Sequence, residues 1–197
     1  MKLSILVPSV HTRRDTFLPV MINSLYGQLD LLPEELKKEV EILFLVDNKT
    51  INLGKKRNQM AGLANGKYIS YVDDDDRLAD DYISSILKAT EEDNDCIVFY
   101  AEVSVNGLVK PCYYSINYEN VNTPRHYERS PNHICAVKRE TILKVKFPEM
   151  MYGEDKDYSE RLKPLLKTQT KINRILYYYD FNQETSETYK YKDNQNG

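Results

Sequence analysis

Three short, nearly continuous apolar runs constrain the fold of this chain more than any other feature. They are Leu3 to Val7, Ile42 to Val46 and Tyr68 to Val72. Runs of this length without polar alternation are typical of strands that are buried on both faces of a parallel sheet. Helix-like sequence separates the runs, which predicts a doubly wound α/β arrangement.

The predicted helices follow the 3.6-residue period of apolar positions. They are Asp15 to Leu29, Pro33 to Lys38, Lys55 to Ala64 and Leu78 to Thr90, and a buried strand from Cys96 to Tyr100 comes next. Beyond residue 100, Asn106 and Gly107 lie between alternating residues and predict a β-hairpin. The last predicted elements are a strand near His133 to Val137, a helix from Glu154 to Leu166 and a strand near Ile172 to Tyr178. The second half is therefore expected to be mixed and more antiparallel.

Composition limits the function classes. The 197 residues suffice for one domain with a sizeable core, and a net charge of -3 gives no overall field that attracts nucleic acid or membranes. No apolar run reaches the length of a membrane span and no cleavage pattern follows the first run, so the expected compartment is the cytoplasm. The three cysteines are widely spaced, which favours buried thiols over a disulfide framework or a zinc site.

Polar residues follow each of the three strands at the point where the strand ends. Pro8 and Ser9 follow the first strand, Asp47 and Asn48 the second, and the run from Asp73 to Asp76 the third. In an open parallel sheet, ligands bind in the crevice beyond the carboxyl ends of the strands. Ordinary turn chemistry accounts for Ser9 and Asn48, whereas four consecutive aspartates need a further reason.

The four aspartates predict a cation site. Alternation along an extended chain places Asp73 and Asp75 on one side, while Asp74 and Asp76 point elsewhere. Like charges this close repel one another unless a cation or hydrogen-bond donors offset them, and carboxylate oxygens favour Mg²⁺ or Mn²⁺. A divalent ion shared with a diphosphate would relieve the repulsion. The alternative is a solvated acidic turn beside the start of the next helix.

Charged residues at two predicted helix starts extend this site. Lys55, Lys56 and Arg57 lie in a first helical turn, where the helix dipole disfavours cations unless an anion such as a diphosphate binds there. For the two lysines, a solvated basic patch is the preferred interpretation. Glu154 and Asp155 begin a later helix, whose dipole keeps a carboxylate ionised and able to accept a proton. Plain helix capping is the alternative for this pair.

The order of these motifs resembles glycosyltransferase family 2, whose members have the GT-A fold. The matching segments are Val7 and Pro8, Asp47, Lys56 to Asn58, YVDDDDRL from Tyr71 to Leu78, and GEDKDYSERL from Gly153 to Leu162. The resemblance covers nearly the whole chain. It implies one α/β GT-A (Rossmann-like) domain over residues 1–197, with a mixed central sheet whose parallel N-terminal half is flanked by helices. Residues 1–100 would bind the nucleotide sugar, 101–180 would form the acceptor side, and 181–197 would be a tail.

The resemblance also implies an activity. Family members transfer a sugar with inversion from a nucleoside-diphosphate sugar, by default a UDP-sugar, to an acceptor hydroxyl. Asp73 and Asp75 match the DxD motif that holds Mn²⁺ or Mg²⁺, with Asp75 as the direct ligand. Asp155, paired with Glu154, matches the catalytic base. The donor contacts implied are Pro8, Ser9, Asp47, Arg57, Asn58, Asp73 and Asp74.

Several points stay open at the level of sequence. The residues after Asp47 are Asn48, Lys49 and Thr50, where family members often have Asp-Gly-Ser, so the contacts to the base and the ribose are undecided. His133 is a candidate additional metal ligand, with a hydrogen-bonded core histidine as the alternative. The acceptor could be a glycan, a lipid-linked molecule or a modified nucleobase. The chain lacks the membrane helices of the family's polysaccharide synthases, which argues against processive export.

Two other function classes compete with this hypothesis. A nucleotidyltransferase shares the sheet and the paired acids, but the segment from Ser9 to Arg14 contains no glycine for a phosphate loop. A noncatalytic sugar-nucleotide or glycan-binding module would need no base.

Overall fold

The N-terminal strands pair in parallel at one end of a ten-stranded mixed sheet. The computed structural model describes residues 1–150 and 153–181. β1 (Leu3–Val10) pairs in parallel with β2 (Val40–Asp47) on one edge and with β3 (Tyr68–Tyr71) on the other. β1 is buried over seven of its eight residues and β3 over all four, as their continuous apolar sequence predicts.

Four helices connect or follow these strands. They are α1 (Phe17–Asp30), α2 (Glu34–Lys37), α3 (Leu53–Leu63) and α4 (Tyr82–Ala89). Apolar residues on one side of each longer helix are buried, such as Met21 of α1, Met60 of α3 and Ile86 of α4. The alternation of strands and helices predicted for the first hundred residues is confirmed.

The rest of the chain adds both antiparallel and parallel pairings. Its strands are β4 (Arg77–Leu78), β5 (Cys96–Val105), β6 (Leu108–Tyr114), β7 (Val121–Asn122), β8 (Tyr127–Arg129), β9 (Ala136–Lys138) and β10 (Gln169–Phe181). The main order of the sheet is β2-β1-β3-β9-β5-β6-β8-β7, and β10 pairs with β4 and β5. β5 and β6 form the predicted hairpin, with positive φ at Asn106 and Gly107. Two further helices, α5 (Arg139–Val145) and α6 (Glu154–Leu162), lie between β9 and β10 in the chain.

The strand β9 determines what lies at the edge of the parallel strands. It pairs antiparallel with both β3 and β5, so the residues that precede it lie beside the carboxyl end of β3. The backbone N–H of Tyr71 donates to the carbonyl of His133 over 3.1 Å. Chain order alone would not bring His133 to this edge, and the antiparallel insertion does.

The structure differs from the sequence-based prediction in several elements. The strand predicted from His133 begins at Ala136, so His133 lies in the turn before it, and the helix predicted from Glu154 to Leu166 ends at Leu162. The helix predicted from Leu78 begins at Tyr82, because Arg77 and Leu78 pair with β10 instead. The helix α5 was not predicted, and the last strand runs from Gln169 to Phe181 rather than from 172 to 178. The predicted C-terminal tail lies almost entirely outside the described residues. Within the described part of the chain, no helix is both long and apolar enough to cross a bilayer.

Candidate active site

Side chains from four parts of the chain meet at the carboxyl edge of the parallel strands. Arg57 of α3 joins them, and its guanidinium is fully buried. Its Nη2 lies 2.8 Å from Oδ1 of Asp73, and its Nη1 lies 2.5 Å from Oδ1 of Asp155 and 3.4 Å from Oε1 of Glu154. The guanidinium also lies 5.2 Å from the centre of the Phe147 ring. One buried cation therefore brings the two predicted acidic motifs into a single site.

His133 is the second cation of this cluster. It is 8% exposed, and its Nε2 lies 3.3 Å from Oδ2 of Asp73. Its Nδ1 lies 3.0 Å from Oδ1 of Asp155, at an angle that makes no hydrogen bond. Burial and Arg57 act to lower the pKa of His133, but the charges of Asp155 and Asp73 outweigh them and raise it to about 9. A protonated imidazole has no lone pair for a metal ion, so His133 must lose this proton before it can serve as the metal ligand predicted from the sequence.

The paired acids at the start of α6 have different environments. Burial acts to raise the pKa of Asp155, but the charges of Arg57 and His133 outweigh it and lower that pKa. For Glu154, burial and the neighbouring Asp155 raise the pKa against the opposing effect of Arg57. The side chain of Asp155 is 40% exposed whereas that of Glu154 is 7% exposed. Asp155 is therefore the ionised carboxylate that a substrate can reach, and Glu154 lies behind it.

The four consecutive aspartates divide into two kinds, although they form a turn rather than the extended chain assumed in the prediction. Asp74 and Asp76 are buried, the first accepting hydrogen bonds from Ser9 and Arg13 and the second from the hydroxyl of Tyr177 at 2.6 Å. Asp73 pairs with Arg57, and the side chain of Asp75 is 39% exposed. Burial acts to raise the pKa of Asp73, but Arg57 and His133 hold it well below its ordinary value.

Arg13 is a site residue that the sequence reasoning missed. It lies in a short 3₁₀ turn after β1, and its guanidinium donates to Asp74 and, over 2.8 Å, to Oδ2 of Asp75. The available signal was a basic residue just beyond the end of the first strand, at the same edge as the aspartates.

The carboxylates of this site decide whether it can bind a metal ion. Among residues 1–150 and 153–181, no three side chains of Asp, Glu, His or Cys converge to hold an ion. Mg²⁺ at nucleotide sites is, however, bound by one or two carboxylates together with substrate phosphates and water. Asp75 fits that mode, because burial together with Asp73 and Asp74 raises its pKa against the opposing charge of Arg13. An additional cation at Asp75 would relieve this crowding.

Lys56 and Asp47 form a separate buried ion pair between β1, β2 and α3. The ammonium of Lys56, whose side chain is 3% exposed, pairs with Asp47 and donates to the carbonyl of Ser9 over 2.5 Å. Burial opposes ionisation of Asp47, but Lys56 and the backbone N–H of Ile51 lower its pKa to about 2. The interpretation of Lys56 as a solvated residue is therefore wrong, whereas Lys55 is half exposed as expected. The anion near the start of α3 is the carboxylate of Asp47.

Two of the residues predicted to contact the donor, Asn58 and Pro8, are packed against or hydrogen-bonded to other parts of the protein. The side-chain amide of Asn58 donates to the carbonyl of Phe147 over 2.9 Å and accepts from its N–H over 2.7 Å, so it holds the segment beside α6. Pro8 is buried within β1, opposite Leu45 of β2. The other predicted donor contacts lie around the same edge of the sheet. They are Ser9, Asp47, Arg57, Asp73 and Asp74.

A polar cleft of about 370 Å³ opens beside Asp155. It is defined by Asn120, Asn122, Arg129, Ser130, Asn132, Asp155, Lys156 and Ser159. The cleft thus joins the exposed carboxylate at the start of α6 to the segment that contains β7 and β8.

Comparison with known proteins identifies the fold and the family. Three similar solved structures are of S. aureus TarS: the protein itself (16% identity, TM-score 0.67), residues 1–349 with UDP-GlcNAc (18%, 0.65) and residues 1–349 with UDP (19%, 0.68). They cover 93%, 92% and 93% of this chain, which spans only 37%, 59% and 62% of theirs. At this level of identity the likeness shows the fold, and it confirms the expected GT-A arrangement.

The sequence comparisons give one positive result. No significant match is found among curated proteins. The sequence profile described as glycosyl transferase family 2 matches residues 30–162, which is about two thirds of the chain and includes Asp47, Arg57, the four aspartates and Asp155. The chain therefore belongs to glycosyl transferase family 2.

Proposed function

We propose that this protein is a metal-dependent inverting glycosyltransferase that transfers a sugar from a UDP-sugar to a hydroxyl group of an acceptor. The observation that carries the proposal is Arg57, whose one guanidinium contacts both Asp73 of the aspartate run and Asp155 beside the polar cleft. The two halves of a transfer site are thereby adjacent. The structures of TarS with UDP-GlcNAc and with UDP support a uridine nucleotide as the donor.

Asp155 is the proposed catalytic base. It is ionised, partly exposed and open to the cleft, so it can accept the proton of an acceptor hydroxyl as that oxygen attacks the anomeric carbon. Inversion is a single displacement and needs one base. Glu154 is buried against Arg57, so we propose that it supports the site and does not act as a covalent nucleophile.

The leaving diphosphate needs positive charge at the carboxyl edge of β1 and β3. Arg13, whose side chain is 21% exposed, lies at this edge and can orient the diphosphate oxygens, while the buried Arg57 holds Asp73 and Asp155 in place. A Mg²⁺ or Mn²⁺ ion held by Asp75 and Asp73 would supply Lewis-acid stabilisation of the departing phosphate. Ser9 and Asp47, at the ends of β1 and β2, are the proposed contacts for the nucleoside part.

The replacement Asp155→Asn tests this proposal, after a screen of UDP-sugars has identified a donor. It removes the base without changing the size of the side chain, so turnover should fall by about 10²–10⁴-fold while calorimetry shows donor binding retained. Asp157→Asn is the matched control: this neighbour in α6 pairs with Arg161 and does not line the cleft, so turnover should be unchanged. Undiminished turnover in Asp155→Asn would rule out this base, and a noncatalytic binding module would show no turnover in any variant.

A further inference from the structure

The polar cleft beside Asp155 presents hydrogen-bond donors to whatever it binds. Three of its asparagines have their side-chain oxygen held by a donor of the protein. The pairs are Asn120 with the N–H of Ser130 at 3.1 Å, Asn122 with Arg129 at 2.6 Å, and Asn132 with the N–H of Ile134 at 3.3 Å. Because a backbone N–H and a guanidinium can only donate, the oxygen of each amide must face its partner. The Nδ2 groups of the three asparagines remain as donors, with no acceptor bonded to them in the described part of the chain.

The cleft offers few acceptors in return. The hydroxyls of Ser130 and Ser159 are buried, lie 2.9 Å apart, and are tied to the protein because Ser159 also donates to the carbonyl of Pro131. Asp155 is the one lining side chain that accepts hydrogen bonds without also donating them. A ligand in this cleft therefore meets many N–H groups and a single carboxylate.

Arg129 gives the cleft a positive charge that no carboxylate neutralises. Its guanidinium donates to the carbonyls of Val121 and Glu128 and to the side chain of Asn122, all of which are uncharged acceptors. It also stacks 5.1 Å from the centre of the Tyr127 ring. Within residues 1–150 and 153–181, no carboxylate oxygen lies within the 4.0 Å that defines an ion pair with this guanidinium. The ammonium of Lys156, which is largely exposed and lies 3.9 Å from Oε1 of Glu160, adds a second, partly neutralised cation to the rim.

These donors and charges discriminate between acceptors. Each hydroxyl of a neutral polyol brings a proton that needs an acceptor, and Asp155 can satisfy only the hydroxyl that reacts. A phosphate or carboxylate brings acceptors only, and hydrogen bonds to an ionised group are stronger than neutral ones. We infer that the polar cleft binds the acceptor substrate and selects one that carries a phosphate or carboxylate group in addition to the reacting hydroxyl. This inference rests on the proposed function, because it takes Asp155 as the base.

Binding of matched small molecules tests the inference. The protein is first saturated with UDP and Mn²⁺, so that the donor site is filled, and is then titrated by NMR with glucose, glucose 6-phosphate, glucuronate, glycerol and glycerol 3-phosphate. Each charged compound should bind about tenfold more tightly than its neutral counterpart, the factor expected for one charge-assisted contact. Comparing glucose 6-phosphate with glucuronate distinguishes a phosphate from a carboxylate preference.

Two variants assign the preference to the cleft. Arg129→Gln removes the charge, and Asn122→Asp places a carboxylate of equal size beside Arg129 without disturbing its other contacts. Both should reduce the preference to about twofold or less, in line with the loss of a charge-assisted contact. Arg125→Gln is the matched control, because it removes the same charge from an exposed position outside the cleft and should leave the preference intact. Thermal unfolding of each variant verifies that it is folded.

The outcomes separate the two proposals. Equal or undetectable binding of the charged and neutral compounds to the UDP-loaded protein overturns the acceptor inference, as does a preference that persists in Asn122→Asp. Failure to bind UDP at all counts instead against the proposed glycosyltransferase function.

Discussion

Two adjacent cations of α3 organise the acidic residues of the site. Lys56 and Arg57 diverge around the helix, so that Lys56 pairs with Asp47 while Arg57 pairs with Asp73 and Asp155. A buried charge is stable only when it is paired and hydrogen-bonded, so each cation fixes the position of the acids around it. The two neighbouring cations of α3 thus fix the positions of acidic residues that lie far apart in sequence.

Replacement of Lys56 by methionine should be strongly destabilising. Lys56→Met leaves Asp47 without its cation and the carbonyl of Ser9 without a donor, and removal of one partner of a buried ion pair costs about 3–5 kcal/mol. Because Asp47 keeps its bonds to Ile51 and Thr50, we expect the lower end of that range. Urea unfolding measures the loss. Lys55→Met, one residue away and half exposed, is the control and should change the free energy of unfolding by less than about 0.5 kcal/mol; equal losses would contradict the role of Lys56.

Stability should fall at alkaline pH because of His133. Its pKa is raised from 6.5 to about 9 in the folded protein, so its contribution is fully present below pH 6.5 and is lost as pH rises through 9. By linkage, the difference amounts to roughly 3 kcal/mol. The free energy of unfolding is measured between pH 6 and 10 in the native protein and in His133→Gln, which should lack this component. A variant with the same pH dependence as the native protein would show that other groups are responsible.

At the scale of elements, local sequence patterns predicted individual helices and strands better than they predicted which distant segments pair with each other. β1, β2, β3 and α3 follow from apolar periodicity, because β1 and β3 are buried on both faces and β2, at the end of the sheet, is half-buried. Leu78 satisfies the helical period of α4, yet it pairs with Tyr177, almost a hundred residues later, and no local pattern contains that information. The same limit applies to the site: motifs located Asp73 and Asp155, whereas the contact of Arg13 with Asp74 depends on the folded sheet.

The first turn of α3 lies against the segment that leads to α6, which makes Gly54 sensitive to substitution. A Cβ at this position would lie 2.1 Å from the carbonyl oxygen of Pro148. The segment cannot easily move away, because Asn58 holds the backbone of Phe147 at both its N–H and its carbonyl. The packing of α3 therefore requires a residue without a side chain at 54.

Gly54→Ala should lower the free energy of unfolding by about 1–3 kcal/mol, the usual cost of overpacking. Gly62→Ala is the matched control in the same helix, since a Cβ there has no atom within 4 Å. It should stabilise the protein by about 0.5–1 kcal/mol, because alanine loses less conformational freedom than glycine in a helix. Chemical denaturation of both variants gives the comparison, and a stabilising effect at both positions would show that the contact with Pro148 is not rigid.

At the scale of the whole molecule, the site depends on both halves of the sheet. Ser9, Asp47 and Asp73 come from the parallel half, whereas His133 precedes the antiparallel strand β9 and Tyr177 of β10 supports Asp76. The polar cleft lies on the later segments, from 120 to 159. Sequence motifs predicted the acidic residues at this site, but not the donors of the cleft, because an asparagine in a loop has no periodicity and its role depends on the partner of its oxygen.

Because residues from nearly the whole chain meet at the site, a bound donor should stabilise the entire fold. A UDP-sugar at a hundred times its dissociation constant adds about 2.7 kcal/mol to the free energy of unfolding. At one fixed donor concentration, the increment should be larger with Mn²⁺ than with EDTA, because the metal ion lowers the dissociation constant. Asp75→Asn should abolish the difference between Mn²⁺ and EDTA. It should not destabilise the free protein, since the carboxylate of Asp75 is crowded by Asp73 and Asp74. Asp80→Asn, an exposed acid a few residues later, should retain the difference. If thermal unfolding shows equal stabilisation of the native protein by the donor with Mn²⁺ and with EDTA, the donor is held by Arg13 and its other protein contacts without help from a metal ion.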